Sequence, residues 1–425
     1  MANESGGTAQ DRYVVISADT HGGGDLLDYR AYLEPQWLEE FDAWVAQYSS
    51  PYDDLVHATA ERNWNSERRL ADLDADGIVA EIVFPNTVPP FFNTISGFAT
   101  LPWTREDFER RRAGAKAHNR WLVDFCRQVE GRRRGLVTIF PHDVDLAIEE
   151  ARWAKETGQI CGVHIPAIPP NHAVEPWFHP RYEPFWAACA DLDLPIHQHG
   201  GTGGPDVGMD APAAPAIMVV EMKSWVARTL THLILAGVFE RHPTLKGVWT
   251  EQGASFVLPQ LRMLDNMVAG MKSTSANRTV TLFGSEVIDS LSLKPSEYFA
   301  RNCFLGASFL HRKEVADRYA VGVDKIMWGC DYPHEEGSTP YSREALRATF
   351  FDVPVDECRK MLGETAAAVY GFDLDVLRPL AERLGPTVEE IQVPLTEKPA
   401  DSNCGAFGSW TTTADAMEML VNVSR

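Results

Sequence analysis

A carboxylate and an imidazole stand two positions apart near the start of the chain, at Asp19 and His21. Side chains at this spacing on a β-strand project to the same side. An Asp oxygen and a His nitrogen are suitable ligands for zinc, manganese or a similar divalent ion. An Asp in a turn beside an ordinary surface His would give the same triplet. The pair therefore suggests a metal site but does not establish one.

Two later segments carry further groups of the same kind. The sequence His197-Gln198-His199 ends one apolar run, and Asp331 ends another. Metal ligands in a barrel must converge from several strand ends, so three ends that each supply His or Asp favour one shared site. We expect His199 to be a ligand and His197 to line the site or to orient other groups. The alternative for His197 is a buried imidazole bonded to a backbone carbonyl.

Two other histidines are candidates for the same site. His334 follows Asp331 by three residues in a turn that contains proline, so it should stand at the rim of the site. It is a candidate proton donor or substrate contact, although Glu335 or Glu336 could instead hold it in a structural role. His164 lies in an apolar run and is expected to form the pocket wall or to be a core residue with satisfied hydrogen bonds.

The rest of the sequence predicts the scaffold that must position these residues. Short apolar runs rich in β-branched residues alternate with helical patterns such as those over 144–158 and 182–193. Alternation of this kind implies parallel strands joined by helices, and eight such units predict an α/β fold of the (β/α)₈ TIM-barrel type. The eight candidate strands are residues 13–19, 77–85, 135–141, 161–167, 194–200, 246–253, 303–309 and 325–331.

The predicted barrel domain covers residues 13–374 and has insertions at about 22–66 and 86–134, followed by a C-terminal extension over 375–425. Long segments after barrel strands lie over the catalytic face. We therefore expect the insertions to form much of a substrate pocket. The extension could pack on the barrel or on a partner subunit of a homo-oligomer. The aromatic residues expected to line the pocket are Phe91, Phe92, Phe98 and Trp103.

The chain is acidic, with a formal net charge of −21 over 425 residues. This charge repels phosphates and anionic lipid head groups, so nucleic acid and membranes are poor partners. A small-molecule substrate remains open, even an anionic one, because a local Arg, Lys or metal can reverse the potential in a pocket. The seven cysteines form no CxxC pair and are expected to be reduced. The N-terminus lacks signal-peptide features, which predicts a cytoplasmic protein.

Five segments of the chain, in order, resemble the amidohydrolase superfamily. They are residues 18–21 (ADTH), 69–86, 179–201, 237–253 and 327–337 (MWGCDYPHEEG). The chain is similar to the amidohydrolase-related group, which includes aminocarboxymuconate semialdehyde decarboxylase and γ-resorcylate decarboxylase.

The resemblance implies a barrel that holds one divalent metal ion, with zinc expected first and manganese or iron as alternatives. Residue by residue, it implies that the ligands are Asp19, His21, His199 and Asp331. Asp331 matches an eighth-strand Asp that can also handle a proton.

One position departs from the family pattern. Many members carry a His at the end of the sixth strand, where this chain has Glu251. A Glu can bind metal or transfer protons, but its unperturbed pKa near 4.3 lies about two units below that of His. It would act as a general acid near neutral pH only if burial or a neighbouring carboxylate raised its pKa. The alternative role of Glu251 is to fix a loop through backbone hydrogen bonds.

Two reactions are compatible with these residues. Hydrolysis needs a water activated by the metal and a base such as Asp331. Nonoxidative decarboxylation needs the metal to hold the substrate while an acid protonates the carbon that loses CO₂. Because the sixth-strand His that most readily supplies this proton is absent, we expect a hydrolase of a small organic, aromatic or carboxylated substrate. Its catalytic residues would be Asp331, Glu251 and His334, and decarboxylation is kept as the alternative.

Other classes of protein are less well supported. No GxSxG elbow, P-loop or GxGxxG opening follows any candidate strand. Ser308 is a lone serine at the end of the seventh strand, without a convincing base, so a serine hydrolase is a remote option. A barrel that only binds a ligand is disfavoured because all four candidate metal ligands are present.

Overall fold

The structure, a computed structural model, describes residues 11–48, 59–92, 99–170, 172–200, 203–204, 211–272 and 283–407. Within these ranges eight parallel strands form one sheet, in which each strand pairs with the next in sequence. Each of the eight overlaps one of the predicted runs, so the predicted barrel is confirmed. The strands are β1 (Val15–Gly22), β2 (Ile78–Pro85), β3 (Arg133–Thr138), β4 (Ile160–His164), β5 (Ile196–His199), β6 (Gly247–Thr250), β7 (Cys303–Ser308) and β8 (Ile326–Gly329).

The sheet closes between its first and last strands. Thr20 pairs with Tyr332 in a parallel bridge just beyond β8, and the N–H of His21 donates to the carbonyl of Tyr332 at 2.6 Å. A second bond runs from the N–H of Asp331 to the carbonyl of Asp19 at 2.9 Å. The candidate ligands at the ends of β1 and β8 are therefore backbone neighbours at the seam of the barrel.

Burial on both faces explains why the strands are mostly apolar. Every residue of β1 and β2 is buried, as expected where helices cover the outside of a parallel barrel and side chains fill its inside. The hydroxyl groups of Ser17 and Thr20 in β1 have partners, because a buried hydroxyl without one costs free energy. The Ser17 hydroxyl donates to the carbonyl of Asp19 at 2.7 Å, and the Thr20 hydroxyl donates to that of Ile82 at 2.8 Å.

Helices follow most of the strands. In the part of the chain that the structure describes, every helix falls short of the length and apolar character that crossing a bilayer requires. The first eight α-helices are α1 (Leu38–Val45), α2 (Ser66–Ala75), α3 (Arg105–Arg127), α4 (Val144–Glu156), α5 (Glu183–Asp191), α6 (Ala214–Leu235), α7 (Val238–Arg241) and α8 (Val257–Lys272). Later α-helices are Glu286–Ser290, Pro295–Asn302, Arg312–Ala316, Arg318–Val321, Ser342–Phe350, Val355–Arg359, Thr365–Tyr370, Leu374–Leu384 and Val388–Ile391. A π-helical turn covers Lys360–Glu364, and short 3₁₀ helices cover Leu26–Tyr32, Pro35–Trp37, Ala60–Asn63, Pro180–Tyr182, Val323–Lys325 and Gly405–Phe407.

The two insertions contact each other beside the first two strands. The Tyr29 hydroxyl lies 2.8 Å from Thr87 Oγ1 and 2.8 Å from His118 Nδ1. The Phe91 ring centroid lies 5.8 Å from that of Trp37. Because the insertions follow the carboxyl ends of β1 and β2, this layer starts at the end of the barrel where active sites of this fold form.

The C-terminal segment connects the two ends of the barrel. It pairs with the chain just before β1 through an antiparallel bridge between Arg12 and Thr387. Further on, Asp401 accepts a hydrogen bond from the Tyr341 hydroxyl at 2.7 Å. A methyl group added to Gly405 would lie 2.8 Å from the Cβ of Phe309, the residue after β7. This segment therefore runs from the amino end of β1 to the carboxyl end of β7.

Candidate metal centre and active site

Three side chains from β1 and β5 point their polar atoms at one another inside the mouth of the barrel. The Oδ1 atom of Asp19 lies 3.4 Å from Nε2 of His21 and 3.5 Å from Nε2 of His199. All three residues are buried. The spacing of Asp19 and His21 on one strand therefore places both on the side that faces the fifth strand, as the sequence predicts.

Asp331 joins this group from the other side of His21. One of its carboxylate oxygens, Oδ1, lies 3.1 Å from Nε2 of His21, and the residue is fully buried. Its backbone has a φ of 60°, in the left-handed region that few residues other than glycine adopt. The chain thus leaves β8 in a sharp turn, and this turn directs the carboxylate into the barrel.

Glu251 approaches from β6. Its Oε2 lies 3.0 Å from Nε2 of His199, and 21% of its side chain is exposed, against 5% for His199. It also has a left-handed φ of 60°, and its N–H donates to the carbonyl of Gly306 at 3.0 Å. Glu251 therefore reaches the cluster from a side that is open to solvent.

Glu314 holds the loop that carries Glu251. Its Oε1 accepts hydrogen bonds from the N–H groups of Ala254 at 2.7 Å and Ser255 at 3.0 Å, and from the Ser255 hydroxyl at 2.8 Å. The loop turns at Gly253, whose φ is 62° and where a Cβ would lie 2.3 Å from Glu314 Oε1. The loop after β6 is thus anchored to the helix that follows β7.

His334 lies between two hydrogen-bond partners. Its Nδ1 is 3.1 Å from Asp331 Oδ1, and its Nε2 is 3.1 Å from Asn86 Oδ1. The ring stacks on His21 with centroids 4.1 Å apart. Asn86 in turn donates to Asn63 Oδ1 at 2.7 Å. Sequence reasoning missed Asn86, although its place directly after β2 marks it as a residue of the barrel mouth.

Mutual proximity changes the pKa values of these groups. Burial opposes ionisation of Asp19, but the facing His199 and His21 outweigh it and lower the pKa of its carboxyl. Burial raises the pKa of Glu251, and the nearby Asp331 and Asp19 raise it further, against the opposite effect of His199. The pKa of the Asp19 carboxyl is thus shifted down and that of the Glu251 carboxyl up, so the two carboxyl groups of one cluster differ in acidity.

The donor atoms of the cluster meet the requirements for binding a divalent ion. Asp19 Oδ1, His21 Nε2 and His199 Nε2 are buried and have no hydrogen-bond partner, which is costly unless something else satisfies them. These three atoms and a Glu251 oxygen lie within 4.8 Å of one another. A second group, with its donor atoms equally close, consists of His21, Asp331 and His334. Oxygen and imidazole donors bind zinc, manganese and iron. Binding by the four predicted ligands stays a prediction.

Phe84 forms an apolar wall of the site and was not identified from the sequence. Its ring centroid lies 4.6 Å from that of His199 and 5.9 Å from that of His21. It also lies 5.8 Å from His164 and 5.7 Å from His197. The inward-facing pattern of β2 is the signal that could have pointed to it. An apolar ring here keeps water from one side of the imidazoles.

His197 and His164 lie next to the cluster rather than in it. His197 stacks on Tyr370 with centroids 5.5 Å apart, and burial lowers its pKa to about 3, so it is neutral. His164 lies 3.5 Å from the Thr138 hydroxyl through Nδ1. Of the two histidines at the end of β5, only His199 directs a nitrogen at Asp19. A role for His197 and His164 in substrate binding stays a prediction.

The aromatic residues predicted to line the pocket contact other parts of the insertions. Phe91 packs on Trp37, and Phe92 lies under the guanidinium group of Arg111 at 4.4 Å. Trp103 is 62% exposed and lies against His172. Phe98 falls outside the described residues. These contacts agree with packing within the insertions, and contact with a substrate stays a prediction.

Comparison with known proteins places the chain in a family. The model of the family described as Amidohydrolase matches residues 99–372. γ-Resorcylate decarboxylase of Rhodococcus jostii (strain RHA1) is 24% identical over 242 residues, which are 53% of this chain and 69% of the relative.

Two solved structures resemble the fold of this chain over most of its length. One is 5-carboxyvanillate decarboxylase of Novosphingobium aromaticivorans with manganese and 4-hydroxy-3-methoxy-5-nitrobenzoic acid (TM-score 0.63, 20% identity, 86% of this chain and 100% of that one). The other is dihydroxybenzoic acid decarboxylase of Polaromonas sp. JS666 with manganese and 2-nitroresorcinol (TM-score 0.55, 19% identity, 85% and 97%). Together with the family match over residues 99–372, the barrel and its strand-end site identify this chain as a member of the amidohydrolase family and an enzyme of that superfamily.

Proposed function

We propose that this protein is a metal-dependent, nonoxidative decarboxylase of a small aromatic carboxylic acid. The observation that carries the proposal is the position of Glu251, beside the candidate ligands and on the open side of the cluster. The sequence argument for hydrolysis rested on the loss of the sixth-strand His that most readily supplies the proton, and Glu251, which stands in its place, lies 3.0 Å from His199. Similarity to decarboxylases of aromatic acids adds support.

The ion that we propose is manganese rather than zinc. Held by the four predicted ligands, it would bind the substrate's carboxylate or a hydroxyl beside it and draw negative charge away from the ring. Oxygen and imidazole ligands suit manganese as well as zinc, and both solved structures described above contain manganese. The proposed ligands are Asp19, His21 and His199, whose donor atoms lie together, and Asp331, which lies beside His21.

Glu251 would supply the proton that replaces CO₂. When the carbon–carbon bond breaks, its electron pair stays on the ring carbon, and this carbon takes the proton of the Glu251 carboxyl group. Burial and the nearby carboxylates raise the pKa of Glu251, which favours the protonated form that a proton donor needs. Because 21% of the side chain is exposed, Glu251 can recover a proton from solvent after each turnover.

His334 would position Asp331 rather than protonate the substrate. Its two ring nitrogens are directed at Asp331 and Asn86, so neither faces an open position. Its stack on His21 adds a second constraint on a candidate ligand. Of the three catalytic candidates, Glu251 is therefore assigned as the proton donor and Asp331 as a metal ligand.

The test is to measure both reactions with one enzyme preparation. Protein loaded with manganese is incubated in D₂O with a panel of hydroxylated benzoic acids, and CO₂ release is measured together with deuterium in the product. We expect CO₂ release that stops when EDTA removes the metal, and one deuterium on the carbon that lost CO₂. The same preparation is offered esters, lactones and amides of similar size. Hydrolysis of these substrates without any CO₂ release from the acids would overturn the proposal.

A further inference from the structure

Ser308, the last residue of β7, is bonded to a candidate metal ligand. Its hydroxyl donates to Oδ2 of Asp19, and Ser308 is 1% exposed. This bond joins the seventh strand to the first across the barrel seam. The sequence shows Ser308 only as an isolated serine with no base, because its partner is distant in the chain.

A glycine on the intervening strand makes this contact possible. Gly329 on β8 is the register partner of Ser308. A Cβ added to Gly329 would lie 2.7 Å from the Cβ of Asp19 and 2.9 Å from Oγ of Ser308. Any side chain at this position would therefore push the two residues apart. Because Gly329 has no side chain, the Ser308 hydroxyl can reach past β8 to Asp19.

The bond distinguishes the two oxygens of Asp19. Oδ2 accepts from Ser308, whereas Oδ1 has no hydrogen-bond partner and faces both His21 and His199. The carbonyl of Asp19 is fixed as well, by the Ser17 hydroxyl and by the N–H of Asp331. Both the backbone and the carboxylate plane of Asp19 are thus held before an ion binds.

We propose that Ser308 is a positioning residue that fixes Asp19 as a metal ligand through a single oxygen, Oδ1. The proposal rests on the metal site put forward above. Partners that orient a metal ligand commonly change metal affinity by about 10- to 100-fold. Because Asp19 would be free to rotate without the hydroxyl, the effect should appear in metal affinity and not only in activity.

The experiment compares Ser308→Ala with a matched control, Ser342→Ala. Ser342 is also fully buried, and its hydroxyl donates to the carboxylate of Asp76 at 2.8 Å, away from the cluster. The full-length apo proteins are titrated with Mn²⁺ in competition with a fluorescent chelator, and their folding is checked by circular dichroism. We expect S308A to bind Mn²⁺ about 10- to 100-fold more weakly than wild type. We expect S342A to bind it with unchanged affinity.

Gly329→Ala provides a second variant that leaves the serine in place but separates it from Asp19. G329A should therefore also bind Mn²⁺ more weakly than wild type, as S308A does. If S308A and G329A both bind Mn²⁺ within twofold of wild type, Ser308 does not position Asp19. If wild type binds no Mn²⁺, the metal site fails first and this proposal fails with it.

Discussion

The Oε2 atom of Glu251 lies 3.0 Å from Nε2 of His199, the same nitrogen that faces Asp19. A carboxyl group from β6 thus stands where it can meet both a bound ion and a substrate held by that ion. Two roles are open to a carboxyl group in this position, metal ligation and proton transfer. The proposed reaction needs the second, and the two roles predict different results on substitution.

Glu251→Gln keeps the shape of the side chain and removes its proton. General acid catalysis typically contributes 10²- to 10⁴-fold to a rate, so we expect kcat for decarboxylation to fall by at least about 100-fold. Metal content should stay near that of wild type, because the four other donors are unchanged. Loss of the ion from E251Q would instead assign Glu251 as a ligand, and a wild-type rate would leave it only a structural role.

The two histidines of β5 provide a matched pair for the ligand assignment. We expect His199→Ala to abolish tight metal binding, since it removes a nitrogen that faces Asp19. His197→Ala should retain the ion, because that ring stacks on Tyr370 instead. Metal analysis after gel filtration measures both variants. The reverse result, with the ion lost only from H197A, would show that the wrong histidine has been assigned.

Glu314→Ala should loosen the loop that carries Glu251 without touching the metal. The substitution leaves three backbone N–H groups, of Ala254, Ser255 and His311, and the Ser255 hydroxyl without this acceptor. An unsatisfied buried group typically costs about 1–3 kcal/mol, so the midpoint of urea unfolding should drop. We expect a lower kcat with unchanged Mn²⁺ affinity. Equal stability and equal kcat in E314A and wild type would refute the anchoring role.

His118 predicts a specific pH dependence of stability. Burial lowers its pKa to about 3, from an ordinary value of 6.5. Below pH 6.5 the unfolded chain takes up a proton at this residue and the folded chain does not. Its contribution to stability is therefore complete above pH 6.5 and is lost as pH falls toward 3, at up to about 1.4 kcal/mol per pH unit.

The comparison is between wild type and His118→Asn, with free energies of unfolding measured from pH 8 down to pH 5 in the presence of EDTA. The free energy of unfolding of the variant should fall less steeply below pH 6.5. The difference in slope should correspond to one proton, about 1.4 kcal/mol per pH unit. It is expected to be less stable at pH 8, since it loses the contact with Tyr29. Parallel curves for the two proteins across this range would contradict the assignment of a neutral His118.

Much of the fold follows from periodicity in the sequence. Apolar runs and intervening helical patterns predict all eight strands, because strands of a parallel barrel are buried on both faces and need long apolar stretches. The triplet at Asp19 and His21 also predicts its own geometry, since residues two apart share a side of a strand. Sequence patterns therefore suffice to predict features that depend only on residues close together in the chain.

The parts that the sequence does not predict depend on contacts between distant segments. Phe84 and Asn86 reach the site only because β2 lies beside β1. Ser308 gains its role from Asp19 and from the missing side chain at Gly329. No spacing rule contains this information. The expectation of hydrolysis also arose because contacts between distant segments are not visible in the sequence. The carboxylates that raise the pKa of Glu251, and so make it a candidate proton donor, come from other strands.

The most direct measurement of the central claim is a crystal structure of the protein soaked in Mn²⁺, with diffraction data collected at the manganese absorption edge. We predict one anomalous peak at the barrel mouth, at about 2.0–2.3 Å from Asp19 Oδ1 and from Nε2 of both His21 and His199, and in contact with Asp331. The Glu251 carboxyl group should face the open side of this ion. A peak elsewhere, or none at a Mn²⁺ concentration that supports activity, would contradict the account.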